Sequence, residues 1–422
     1  MNKKTKNTLI LILLAVFCLF IFASCKTDKP DIFEYSSNDL GVMGQLVRWM
    51  HSWVHNYGWT VVVFTIFLKI FMLPLDFWQR YASRKSTLKM QQMQPIIEGI
   101  DKRYGANTQR ANEEKQKLYK KQGFSMMSSC LPMIVSMVIF FIMFAGLRNY
   151  STYSSITNFK ALYNEYYSVY ATELENDPEL GDVYTAAYNE TKNAQTTTDT
   201  NVVELRSRIA GIAAARAVNE SKCDEQIEPI AIAAVQKYYE EHHESWLWIE
   251  NVWQPDTWAD IMQPYKGNSF AGNGFSSTVD LTNFPNGEAV YNKIRNAVLE
   301  TGGHGRGGSW NGLMILPCMS IGLSFLSMFI SQRLERKNRK GQVVEQNAQQ
   351  KTTNRMMMIM MPLMMAYFGF IYTGAFAIYM VVNYTLSILS TILMRYPVEK
   401  VVMKRLNKDE QKDKSGKATY MR

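Results

Sequence analysis

Five apolar stretches constrain this chain more than anything else in it: Tyr57–Leu75, Met126–Leu147, Asn311–Ser331, Met356–Tyr372 and Ala375–Met394. Each has the 17–22 residues that an α-helix needs to cross about 30 Å of hydrocarbon. A mean hydropathy of −0.18 resembles that of a soluble protein. That average arises because apolar runs are pooled and charged connections lie between them. In lipid a backbone must satisfy its own hydrogen bonds. The predicted fold class is therefore all-α, a polytopic membrane protein with five transmembrane helices, a cytoplasmic helical hairpin and a large extracytoplasmic helical insertion.

Charge orients the spans. The connection 76–125 holds 11 Lys+Arg and 5 acids, 332–355 holds 7 and 2, and 395–422 holds 9 and 4. The long connection 148–310 is acidic, with 11 Lys+Arg against 22 acids over residues 149–310. Basic connections belong on the cytoplasmic side, which places 148–310 outside and the basic tail 395–422 inside. The N-terminus agrees. Lys3, Lys4 and Lys6 precede an apolar run from Leu9 to Phe22, then Ala23-Ser24-Cys25, the layout of a secretory signal over residues 1–24. Cys25 after Ala-Ser resembles a bacterial lipobox, in which this Cys carries the lipid; an uncleaved anchor helix is the alternative. Either way residues 25–56 lie outside the cytoplasm. Leu40, Met43, Val47, Met50 and Val54, with Trp49 and Trp53, predict an interfacial helix leading into the first span.

The connections carry further signals. Gln79–Tyr104 and Gln109–Lys121 read as two charged helices around a Gly105-Ala106-Asn107 turn, with a kink expected at Pro95. Such a basic hairpin suits anionic headgroups, ribosomal RNA or a nascent chain. In the outer segment, residues 203–243 predict two helices, 189–201 a flexible linker and the Gly-rich 302–312 a tether. No strand precedes that Gly-rich stretch and no GK[ST] follows it, so it is not a phosphate loop. The expectation is a chain that hydrolyses no nucleotide, needs no cofactor and is not an enzyme. The five Cys show no metal or disulfide spacing, and the adjacent His242-His243-Glu244 splay on a helix, so no metal site is expected.

Inside the spans the polar residues share one depth. Thr65 and Lys69 lie a turn apart in the middle and inner half of the first. Ser128, Ser129 and Ser136 occupy the inner half and middle of the second. Ser320, Ser324, Ser327 and Ser331 line one face of the third, and Asn383, Ser387, Ser390 and Thr391 one face of the fifth. The outer halves are nearly all apolar. Packed together, such helices would form a wet notch open to the cytoplasm and sealed above. A charge within a span costs about 2.5–3.5 kcal/mol on insertion scales, which makes Lys69 a functional candidate. The competing reading is that Lys69 snorkels toward Asp76 and that the hydroxyls bond their own helix carbonyls. Met361 and Met364 belong to a run of flexible thioethers in the fourth span that suits varied apolar partners.

The ordered series YGWTVVVFTIFLKIFMLPLD (57–76), MQQMQPIIEGIDKRY (90–104), Leu118-Tyr119-Lys120, Cys130-Leu131-Pro132, WLWIENVWQPD (246–256), Met360-Met361-Pro362 and GAFAIYMVVN (374–383) resembles the YidC/Oxa/Alb family of membrane protein insertases. The lipobox resembles the family's lipoprotein form, and most of 150–245 looks like an insertion. The resemblance implies a cytoplasm-open groove whose positive residue, here Lys69, attracts the polar or acidic part of an arriving protein. Thr65, Ser136, Ser324, Ser327, Asn383 and Ser387 would line that groove. Met361, Met364 and Met380 would meet apolar substrate segments. The family commonly has Arg, Gln and Trp where this chain has Lys69, Ser136 and Met380. Implied partners are nascent membrane proteins, the ribosome and membrane lipids, with a Sec translocon as a candidate and no DNA. The implied location is the bacterial plasma membrane. A small-solute transporter or channel is the alternative reading of polar spans with an intramembrane Lys.

Overall fold

The structure is a computed structural model. It describes residues 32, 37–104, 108–121, 126–194, 200–267, 274–277, 279, 281, 286–301, 310–335, 359, 362–363, 367 and 369–420. Of these, 38–39, 108, 121, 126–137, 277, 335 and 408–420 are described by backbone alone. Among the described residues the chain is helical, with two isolated bridges, Trp246 to Ile249 and Asp260 to Trp310, and no strand.

Helix α1 spans Gly41–Val54. It buries Gly44, Val47 and Met50 and exposes Val42, Trp49 and Trp53. Trp49 and Trp53 sit 5.0 Å apart, centroid to centroid. Helix α2 spans Tyr57–Tyr104 without a break, although two separate helices were expected there. Pro74 and Pro95 lie inside it. Each lacks an N–H, so the carbonyls of Ile70 and Gln91 lose their usual donor. Residues 76–78 offer neither Gly nor an Asn/Ser turn, so the helix continues past its apolar run.

Helix α3 spans Thr108–Lys121 and α4 spans Met126–Glu175. The latter runs far beyond the apolar stretch that ends at Leu147. Tyr150, Ile156, Phe159, Tyr163, Tyr166, Tyr170 and Leu174 explain the extension. They recur at near-helical intervals along one face, and all are buried. Helices α5 (Gly181–Ala194) and α6 (Thr200–Val218) pair as a hairpin. A short π turn, Cys223–Ile227, leads into α7, Glu228–His242. Helix α8 spans Gly287–Thr301, α9 Ile315–Glu335 and α10 Gly374–Tyr420. The two helices expected within 203–243 are α6 and α7. Residues 189–194 of the expected linker finish α5, and 302–309 of the expected tether lie outside the described residues.

Among the described residues three helices are long and apolar enough to cross a membrane: Tyr57–Tyr104, Ile315–Leu334 and Gly374–Asn407. The expected fourth span, 356–372, falls largely outside the description, and the second is described by backbone alone up to residue 137.

Contacts divide the chain into two compact units. Unit 1 comprises Met1–Val61, Phe144–Pro317 and Tyr367–Ile378; unit 2 comprises Val62–Met143, Cys318–Ala366 and Tyr379–Arg422. The core of unit 1 gathers the Tyr-rich face of α4 with Leu205, Ile209 and Ile212 of α6, Ala231 and Val235 of α7, and Tyr291, Ile294 and Val298 of α8. Beside this core the buried Glu228 carboxylate joins four helices. It accepts from Tyr166 Oη at 3.2 Å and pairs with Arg216 and Lys293.

In unit 2, Leu88 of α2 packs with Val398, Val402 and Leu406 of α10. Arg84 donates from Nε and Nη2 to the two Glu399 oxygens at 2.7 and 2.9 Å, and Arg405 lies over the Tyr81 ring. The basic tail is thus a helical continuation of the fifth apolar stretch, seated through residues 398–406 on the polar extension of α2. Hydrophobic spacing at 398, 402 and 406, one helical turn each, produces that seat.

Candidate functional site

Lys69 and Asp76 stand seven residues apart on α2, two turns and so on the same face. Lys69 Nζ lies 2.8 Å from Asp76 Oδ2, and the side chains are 14% and 11% exposed. Oδ2 has no aligned hydrogen bond, so charge holds the contact. Among the described residues Asp76 is the one charged partner of Lys69. A paired cation is cheaper to hold in lipid than a lone one, because each ion replaces part of the water the other has lost. The Lys69 side chain therefore reaches toward the end of its apolar stretch, as the snorkelling reading supposed. One turn further, Arg80 Nη2 donates to Ser390 Oγ at 2.9 Å and to the Ser387 carbonyl at 3.4 Å.

The other expected groove residues are placed less uniformly. Thr65 and Ser324 are buried; Lys69, Ser327, Asn383 and Ser387 are half-buried. Ser324 Oγ donates to its own helix at the Ile321 carbonyl, 3.0 Å away. Ser390 and Thr391 donate to the Ser387 carbonyl at 3.1 and 2.7 Å. Each of these three hydroxyls donates along its own helix, and Ser390 Oγ also accepts from Arg80. Met380 is buried, 1% exposed, next to Tyr379, also buried, whose ring lies 6.3 Å from that of Phe140. The Ser136 side chain, Met361, Met364 and Cys25 lie outside the described residues.

Unit 1 contains a second arrangement, built on the segment Trp246–Asp256, whose contacts its spacing does not reveal. The loop 244–256 grips the starts of three apolar helices. Glu244 Oε2 accepts the Tyr57 N–H at 3.0 Å, and the Tyr57 ring stacks on Trp253 with centroids 4.0 Å apart. A Cβ on Gly58 would lie 2.3 Å from Trp246 Cγ, so only glycine lets α2 start against that indole. The Val252 and Gln254 carbonyls accept the first N–H groups of α10, from Ala375 and Gly374, at 3.4 and 2.8 Å.

Asp256 serves α9 and is fully buried. Its Oδ1 accepts from the Leu313 and Met314 N–H groups at 2.9 and 3.1 Å; its Oδ2 accepts from Leu316 N–H at 2.8 Å and Trp248 Nε1 at 3.2 Å. A helix start leaves its first amides without partners and carries positive potential. One buried carboxylate answers both. Gly312 makes room, because a Cβ there would approach Asp256 Oδ1 to 2.0 Å. The stretch WQPD was visible in the sequence, but its partners sit about 57–60 residues away, so spacing alone did not reveal the cap. Unit 1 also exposes Trp49, Trp53, Trp59, Trp258 and Trp310, the type of amphipathic residue that collects where lipid meets water. Among the described residues, no group of three or more His, Cys, Asp or Glu is placed to hold a metal.

The family model described as 60Kd inner membrane protein matches residues 49–198 and 229–401. Among curated proteins, one named Membrane protein insertase YidC from Caldanaerobacter subterraneus subsp. tengcongensis is 37% identical over 113 residues, covering 27% of this chain and 53% of that protein. Its namesake in Campylobacter jejuni is 34% identical over 107 residues, covering 25% of this chain and 20% of that one. The one in Xylella fastidiosa strain M12 is 33% identical over 118 residues, with 27% and 20% covered. The chain thus spans about half of the first relative's length and a fifth of the other two.

Proposed function

Because the chain belongs to the 60Kd inner membrane protein family, that of the YidC and Oxa membrane insertases, we propose that it inserts newly made proteins into the bacterial plasma membrane. Five spans form the working bundle, with the acidic segment 148–310 and a lipidated Cys25 outside and the tail inside. A hydrated groove, entered from the cytoplasm and from lipid, reaches about halfway through the bundle and is lined by Thr65, Lys69, Ser136, Ser324, Ser327, Asn383 and Ser387. A short hydrophilic segment of the client then has less hydrocarbon to cross. The client's own apolar helix drives the step by partitioning into lipid, so no nucleotide is consumed. Met361, Met364 and Met380 meet that helix. The ribosome delivers clients to the basic hairpin at 76–125, and a Sec translocon shares some of them.

The observation that supports this reading most is Lys69, a cation in an apolar run whose one charged partner among the described residues is on its own helix. The charge alternation of the connections supports the orientation. The test is insertion of a short-tailed single-span client in cells depleted of the native protein and supplied with variants. Lys69→Arg keeps activity, whereas Lys69→Ala and Lys69→Glu lose most of it. Equal insertion by all three removes the charge from the mechanism. Cysteines at 69, 324 and 387 that stay unreactive to a cytosolic thiol reagent remove the groove.

A further inference from the structure

We propose that Asp76 is a tethered stand-in for the client's carboxylate and sets how acidic an arriving segment must be to engage the groove. The inference rests on the insertion reading above and concerns the same site. Its basis is the pair itself. Lys69 and Asp76 share one face of one helix, touch at 2.8 Å and are largely shielded from solvent. Any acidic residue drawn to Lys69 therefore meets a site whose charge is already answered.

The chemistry of the exchange is favourable. One carboxylate leaves the ammonium and another takes its place, so the number of buried charges does not change and no lone ion is created in lipid. Asp76 lies just beyond the apolar run 57–75, so a short swing returns it to water. The client's acid, carried on an apolar helix, has no such escape. The contact favours exchange as well, since Oδ2 has no aligned hydrogen bond to give up. A neutral segment has nothing to offer Lys69 and must pass with the pair intact. Tethering makes Asp76 a strong competitor, because its effective concentration beside Lys69 is that of an intramolecular partner. A weakly acidic client would lose that competition and a segment with several acids would win it.

The experiment uses the full chain reconstituted in phosphatidylethanolamine–phosphatidylglycerol vesicles. Two single-span clients differ only in carrying Asp or Asn in the short translocated segment, and the readout is the ratio of their insertion rates. Asp76→Asn is expected to raise the Asp/Asn client ratio about tenfold, the weight of one charge-assisted hydrogen bond to the freed Lys69. Lys69→Arg with Asp76→Asn keeps the raised ratio, because Arg stays charged when unpaired. Asp76→Glu restores the parent ratio. Lys69→Gln with Asp76→Asn brings the ratio to one.

If Asp76 only steadies the helix, Asp76→Asn lowers both clients together and leaves the ratio unchanged; that result overturns the inference. The same holds if Asp76→Asn lowers the ratio. An unchanged ratio in Asp76→Asn alongside a reduced one in Lys69→Gln refutes the role of Asp76 alone. Parent-like insertion of both clients by Lys69→Gln refutes the role of Lys69 as well.

Discussion

Replacing Asp256 tests whether the outer loop organises the start of α9. The carboxylate accepts four bonds, from the amides of Leu313, Met314 and Leu316 and from the Trp248 indole, and it is fully buried. In Asp256→Ala all four donors lose their acceptor in a place water reaches poorly. At about 1 kcal/mol net per bond the loss is about 4 kcal/mol, above the usual cost of a lost helix cap because a single side chain serves every donor. Asp256→Asn keeps one carbonyl oxygen and turns the other acceptor into a donor facing donors, so about half the loss is expected. For a unit of this size each kcal/mol shifts the melting temperature by about 2–4 °C, which gives roughly 8–16 °C for the Ala variant. Gly312→Ala, which drives a methyl group toward Oδ1, should reproduce the effect with the carboxylate still present. The assay is thermal unfolding of the detergent-solubilised full chain, followed by near-ultraviolet circular dichroism of the Trp-rich loop. Melting of Asp256→Ala and Asp256→Asn within a degree of the parent would refute the reasoning, since the donors would then have found other partners at no cost.

Other outcomes follow from unit 1. Glu228→Ala removes the acceptor of Tyr166 and the carboxylate beside Lys293, while Arg216 keeps Asp224 and Glu220. With both cations partly exposed, the outer helices should lose about 1–3 kcal/mol, and Glu228→Gln, which keeps an acceptor for Tyr166, should cost less in denaturant titration. Burial pushes the Tyr167 hydroxyl up to about 12 and raises those of Tyr166, Tyr170 and Tyr291 too. A raised pKa means the fold favours the protonated form, so this stability is complete below about pH 10 and is lost as pH climbs through the folded values. Ultraviolet titration should therefore show these tyrosinates forming together with the loss of helix above pH 10; their ionisation near pH 10 with helix intact would contradict the buried core.

The α-helical, membrane-type character of the chain was legible because it depends on local quantities. An apolar run of span length declares itself whatever its neighbours are, and charge alternation orients such runs without reference to any contact. Helix ends were less legible. The apolar stretches of α2, α4 and α10 stop at Leu75, Leu147 and Met394, but the helices continue to Tyr104, Glu175 and Tyr420. A change of surroundings from lipid to water alters the side chains, not the backbone's hydrogen bonding. The Tyr-rich face that carries α4 onward could have been counted from the sequence; its partners could not.

Two features were decided only in three dimensions. Lys69 as a candidate charge could be read from its position in an apolar run, yet whether it stood alone or met Asp76 turned on rotamers across two helical turns. The Asp256 cap depends on bringing residues about 57–60 positions apart to hydrogen-bond distance. Sequence periodicity reports which face of an element is apolar. It carries no information on which distant amide a buried carboxylate will meet, because that pairing is set by the packing of whole helices.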